Sequence, residues 1–68
     1  MKIEYDNEAD AAYIYLKEIA DGEVVSTISL NDVINIDLDE DGRTIGIEIL
    51  SASKNIPKEF LKQAKISS

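Results

Sequence analysis

The chain has 68 residues, no cysteine, no histidine and a formal net charge of −7. This composition excludes disulfides and thiolate or imidazole metal sites, and it removes the commonest general base. A chain this short buries only about 60% of its unfolded surface, so a single domain over residues 1–68 with a marginal core is expected.

Met1 to Tyr5 alternates, with Ile3 and Tyr5 on one face and Lys2 and Glu4 on the other, which predicts a short strand. Asp6 to Asp10 is a polar break whose Asp and Asn side chains suit turns closed on the backbone. Ala11 to Lys17 is the second predicted strand, with Ala12, Ile14 and Leu16 on one face and Tyr13 and Tyr15 on the other. A helix from Glu8 to Ile19 competes for this segment, since alanine and glutamate favour it. The Tyr13-Ile14-Tyr15 triplet favours the strand.

Asp21-Gly22 has the composition of a hairpin turn. Val24 to Leu30 is the third predicted strand, with Val24, Ile28 and Leu30 inward, and Asn31-Asp32 makes the next turn. Val33 to Leu38 is the fourth, with Ile34, Ile36 and Leu38 on one face. Arg43 to Leu50 is the fifth, with Ile45, Ile47 and Ile49 inward. Between them Asp39-Glu40-Asp41-Gly42 reads as a type I turn whose glycine takes positive φ. Gly46 faces away from the isoleucines, and a glycine in mid-strand marks a bulge or the close approach of another backbone.

Ser51 to Asn55 reads as a polar linker. Pro57 fits the first turn of a helix, predicted over Lys58 to Lys65. Ile56, Phe60, Leu61 and Ala64 share one face of it, and this stripe must pack on the sheet because so short a helix does not stand alone in water.

Charge is unevenly spread. Residues 1–50 carry a net −10, whereas Lys54, Lys58, Lys62 and Lys65 against Glu59 give residues 51–68 a net +3. The acidic body disfavours nucleic acid, which is bound by clustered lysine and arginine. It suits a basic protein partner, or simply keeps the chain in solution. The lysine stripe reads as a solvated helix face. The apolar runs fall far short of the ~20 residues that cross a bilayer, and the charged N-terminus is unlike a signal peptide. No membrane partner and a cytoplasmic location are expected.

Residues 37–48 satisfy a calcium-loop pattern, with Asp37, Asp39, Asp41, Gly42 and Glu48 at the required intervals. That loop lies between two helices, however, and here strand alternation runs up to Leu38 and resumes by Thr44. The acids are therefore expected to shape a turn rather than to hold an ion. The serines lack a histidine base, and three dispersed glycines build no phosphate loop. No catalytic residue, cofactor or metal site is assigned, and an enzyme is not expected.

Two blocks, Tyr5-Asp6-Asn7-Glu8-Ala9-Asp10-Ala11-Ala12-Tyr13-Ile14 and Asp39-Glu40-Asp41-Gly42-Arg43-Thr44-Ile45-Gly46-Ile47-Glu48-Ile49-Leu50, resemble the small prokaryotic domain-of-unknown-function family 2283. Asn7 stands where proline is common in that family. The resemblance implies a compact antiparallel sheet with a C-terminal helix and no assigned activity. Its members are similar to small proteins encoded beside toxins, which implies an antitoxin-like role. If one cluster of polar residues acts together, the first block points to Asp6, Glu8, Asp10 and Tyr13.

The expected fold is α+β, an antiparallel β-meander of four or five strands with one C-terminal helix packed on one face. The expected function is that of a non-catalytic interaction module, which forms a homodimer or binds a basic protein. The alternative is a small carboxylate-dependent enzyme or a calcium-binding domain.

Overall fold

The computed structural model describes residues 2–67; Met1, assigned above to the first strand, lies outside the described residues. The chain forms β1 (Lys2–Asp6), β2 (Ala11–Tyr15), β3 (Ser26–Ser29), β4 (Ile34–Leu38) and β5 (Thr44–Leu50), then α1 (Ala52–Asn55), α2 (Lys58–Leu61) and β6 (Lys65–Ser67). All strands join one sheet in the order β3-β4-β5-β2-β1-β6. The first five strands pair antiparallel, as the alternating runs require. The expected antiparallel α+β architecture is present. No helix among the described residues is long and apolar enough to cross a membrane.

The register places one side-chain type across the sheet. Ile3 pairs with Ile14, Ile14 with Ile47, Ile47 with Ile36 and Ile36 with Ile28. These five isoleucines form a row over one face, because side chains directly opposite in a sheet point the same way. The other face carries Glu4, Tyr13, Tyr15, Glu48, Asn35, Asp37 and Thr27 at the alternate positions.

The helices cover one end of the apolar face. Ala52 and Ile56 bury against Ala12, and Tyr5, Ile49, Phe60 and Leu61 pack around them. Phe60 and Leu61 thus take the place that the apolar stripe assigned to them. The helix itself is shorter than Lys58 to Lys65. It ends at Leu61, and Gln63 N–H then donates to Phe60 O at 3.1 Å and Ala64 N–H to Leu61 O at 3.0 Å, which tightens the last turn. Lys65 to Ser67 leaves the helix to lie parallel to β1, with Lys65 opposite Glu4. This strand covers the β1 edge, which would otherwise present unpaired backbone groups.

The segment Ser51 to Asn55 is not merely a linker, since its last four residues form α1. Its cap comes from elsewhere in the chain. Ala52 N–H donates to Asp10 O at 2.8 Å and Ser53 N–H to Asp10 Oδ1 at 3.0 Å. The four lysines consequently share no single helix face: Lys54 lies in α1, Lys58 in α2, Lys62 just after it and Lys65 in β6.

Asp21-Gly22 turns the chain, with Gly22 at φ 80, but it does not close a hairpin. The strand beside β2 is β5, so residues 16–25 travel along one end of the sheet to reach β3 at its edge. There Ile28 and Leu30, expected inward, are 51% and 63% exposed. They lie on the apolar side, as the alternation requires, but they have reached the edge strand, and the helices sit at the other side of the sheet.

Candidate functional site

The polar sheet face is organised by tyrosine hydroxyls that donate to carboxylates. Tyr13 OH donates to Asp37 Oδ2 at 2.6 Å, and Thr27 Oγ1 donates to the other oxygen of the same carboxylate at 2.7 Å. Tyr15 OH donates to Glu4 Oε1 at 2.6 Å. Ser29 Oγ donates to Asn35 Oδ1, and Asn35 Nδ2 donates to Glu48 Oε1 at 3.0 Å. The Tyr13 and Tyr15 rings meet edge to face at 4.7 Å, and Lys2 Nζ lies 5.0 Å from the centre of the Tyr15 ring.

Gly46 makes this arrangement possible. A Cβ placed on it would lie 1.9 Å from Tyr13 Oη and 2.5 Å from Tyr13 Cζ. The ring therefore leans diagonally from β2 across β5 and rests on bare backbone, where it reaches Asp37, the β4 residue opposite Gly46. The register shifts between Asp37 and Leu38 at the same place. The irregularity expected at a mid-strand glycine is present, and the close approach is made by a side chain and not, as expected, by a backbone.

Burial first, then the bond to Asp37, pushes the Tyr13 phenol above its ordinary value. The bond to Glu4 is the main cause of the same direction at Tyr15. Both phenols are thus neutral donors over the physiological range. Their partners lie on β1 and β4, so from β2 the bonds lock three strands in register and fix the orientation of the carboxylates.

Asp6, Glu8, Asp10 and Tyr13 do not converge. Asp6 Oδ1 accepts the amides of Glu8 and Ala9 at 3.0 and 3.3 Å and closes its own turn. Glu8 is exposed. Asp10, at φ 52, turns toward the helices, where its carboxylate accepts Tyr5 OH at 2.6 Å and Ser53 Oγ at 2.7 Å. The bond from Tyr5, followed by that from Ser53, lowers the Asp10 carboxyl below its ordinary value. Tyr13 belongs to the opposite face. Its real companions, Asp37 and Thr27, come from β4 and β3, and no spacing in the sequence announces them.

The acids of residues 37–48 divide between turn and strands. Asp39 Oδ1 accepts the amides of Asp41 at 3.0 Å and Arg43 at 2.9 Å, and Gly42 takes φ 80. Asp37 and Glu48 lie on facing strands with their carboxylates engaged by Tyr13, Thr27 and Asn35. Among the described residues no group of three or more acids is arranged to hold a metal ion.

The third feature is the outer edge of the sheet. All four residues of β3 are exposed. The run from Val24 to Asn31 is the longest stretch of the chain without a charged residue. It has neither the lysines nor the prolines that often protect an edge strand from further pairing.

A family model described as a protein of unknown function, DUF2283, matches residues 2–53. An uncharacterised protein of Methanocaldococcus jannaschii is 48% identical over 54 residues, which make up 79% of this chain and 43% of that protein. The chain thus spans less than half the length of this relative. No solved structure matches it. The matched region contains all five antiparallel strands, the Tyr13–Asp37 bond and the Asp10–Ser53 contact, whereas α2 and β6 follow it. From the extent of the family match and the identity with its archaeal relative, this chain belongs to the DUF2283 family of proteins of unknown function.

Proposed function

We propose that the chain is a non-catalytic interaction module that works by self-association. The observation that carries this reading is the amount of surface left over. The accessible surface is 4731 Å² for a 7.5 kDa chain. A compact monomer of that mass exposes about 4,200 Å². The core matches this excess, since no large side chain among the described residues is fully buried. A second protein surface would cover the apolar face, as oligomerisation does for many small domains without disulfides.

A basic protein partner is the second reading, supported by the net −10 of residues 1–50. The acids on the polar face favour it less, because Glu4, Asp37 and Glu48 already accept hydrogen bonds within the chain. An acidic, cysteine-free chain also suits the cytoplasm.

Light scattering on the purified chain tests the reading. A particle of twice the chain mass at micromolar concentration is expected. A monomer that persists into the millimolar range refutes self-association and favours the basic partner, which co-purification from the native cell then identifies.

A further inference from the structure

We infer that the self-association runs through β3, which pairs antiparallel with the β3 of a second copy about a two-fold axis at Ile28, so that the two sheets become one. This rests on the self-association reading above and names its surface.

Three observations converge on that edge. The first is the apolar row. It crosses the sheet from Ile3 to Ile28, and exposure rises from 9% at Ile3 to 51% at Ile28. The row ends in open solvent at the one sheet edge that β6 does not cover. A second copy placed edge to edge sets Ile28 against its own equivalent and continues the row without a break.

The second is the direction of the backbone groups. Leu30 N–H donates to Ile34 O at 2.8 Å, so Leu30 and Ile34 form a hydrogen-bonded pair. Alternation along an antiparallel ladder then turns Ile28 toward β4 and directs the N–H and C=O of Thr27 and Ser29 to the open edge. These groups are self-complementary about Ile28. Thr27 of one copy faces Ser29 of the other, and each such pair exchanges two hydrogen bonds. Ile28 falls at the non-hydrogen-bonded position between them, where opposed side chains stand closest.

The third is charge. Two copies at −7 each repel, so they can meet closely only where the surface is neutral. Val24 to Asn31 supplies that surface. A basic partner would gain nothing from an edge without acids, and this selects a second copy as the occupant.

Cysteine trapping tests the arrangement, and the chain contributes no cysteine of its own. At a non-hydrogen-bonded antiparallel position the Cα atoms are about 4.5 Å apart, within the span of a disulfide. With oxidised glutathione, Ile28→Cys should form a covalent dimer at least about tenfold faster than Val25→Cys, which is also exposed but lies away from the axis. Ser29→Pro removes an outward N–H and leaves the backbone bonds to β4 intact, at the cost of the exposed Ser29–Asn35 side-chain bond. Light scattering should therefore show it as a monomer with an unchanged far-ultraviolet circular dichroism spectrum, and Ser29→Ala, which loses only that side-chain bond, should stay dimeric. A parent chain that is dimeric, with Ile28→Cys no faster than Val25→Cys, overturns the β3 interface and leaves self-association standing. A parent chain that is monomeric throughout overturns both and leaves the edge open to a strand from another protein.

Discussion

Gly46 shows how one missing side chain decides the packing of a sheet face. The Tyr13 ring occupies the space in which a Cβ would stand, 1.9 Å from the hydroxyl oxygen. The ring is held there by its bond to Asp37 at 2.6 Å. Gly46 is at negative φ and is not needed for its backbone conformation. Two effects of opposite sign therefore meet in Gly46→Ala. Removing a mid-strand glycine stabilises by about 0.5–1 kcal/mol, and forcing the ring away costs about 1–3 kcal/mol. With contacts this short the second effect wins, and urea denaturation should show a net loss of about 1–2 kcal/mol. The sign should reverse when Tyr13→Ala is already present, because the space is then empty. Equal effects in the two backgrounds would show that Tyr13 is not what the glycine accommodates.

At the scale of elements, the strands were legible and their connections were not. Alternation in Val33 to Leu38 and Arg43 to Leu50 is the direct consequence of one wet and one dry face, and Asp39 and Gly42 carry the turn in their own side-chain chemistry. Asp21-Gly22 has equally good turn chemistry, yet turn residues state only that the chain bends and not which strands then pair. β2 pairs with β5 instead, through long-range contacts that no local window contains. The helix α1 was hidden for the same reason. Its amides are held by Asp10, 43 residues before Ser53, while Ser51 makes no side-chain cap. The candidate site was illegible for a related reason, because Tyr13, Thr27 and Asp37 meet only after three strands are in register. Asp10 therefore joins β1, β2 and α1, and its protonation should loosen that junction. Its carboxyl is lowered from an ordinary 3.8, chiefly by the bond from Tyr5. The folded state thus holds this proton less tightly than the unfolded chain does. The stabilisation is fully present above pH 3.8 and is lost as pH falls through the lowered folded value. Asp10→Asn keeps a residue that tolerates positive φ but removes the charge. Urea melts should show the variant less stable at neutral pH, with the gap closing as pH falls below the ordinary carboxylate value. A gap that stays constant would assign the loss to shape alone.

At the scale of the whole molecule, two tendencies oppose each other. In the proposed pair, the exposed end of the apolar row would draw two copies together, and −7 on each chain would hold them apart. Apolar burial is short-ranged and acts at the neutral edge, whereas the repulsion is spread over the acidic body and is screened within about 8 Å at physiological ionic strength. Pairing is therefore expected to be stronger in ordinary salt than in dilute buffer. If a second copy completes the apolar row as proposed, folding and association are linked, and Tm should depend on protein concentration. A tenfold rise in concentration is worth about 1.4 kcal/mol per dimer, or half of that per chain, which for a domain of this size raises Tm by about 3–6 °C. Scanning calorimetry over a concentration series should show this rise, and added sodium chloride should raise Tm further by screening the repulsion. Ser29→Pro should flatten the concentration dependence, because it removes the pairing while leaving the fold of each chain in place. A parent chain whose Tm is the same across a hundredfold range of concentration would mean that a core built, among the described residues, on buried Ile3, Ala12, Ile45, Ala52 and Ile56 suffices for a stable monomer.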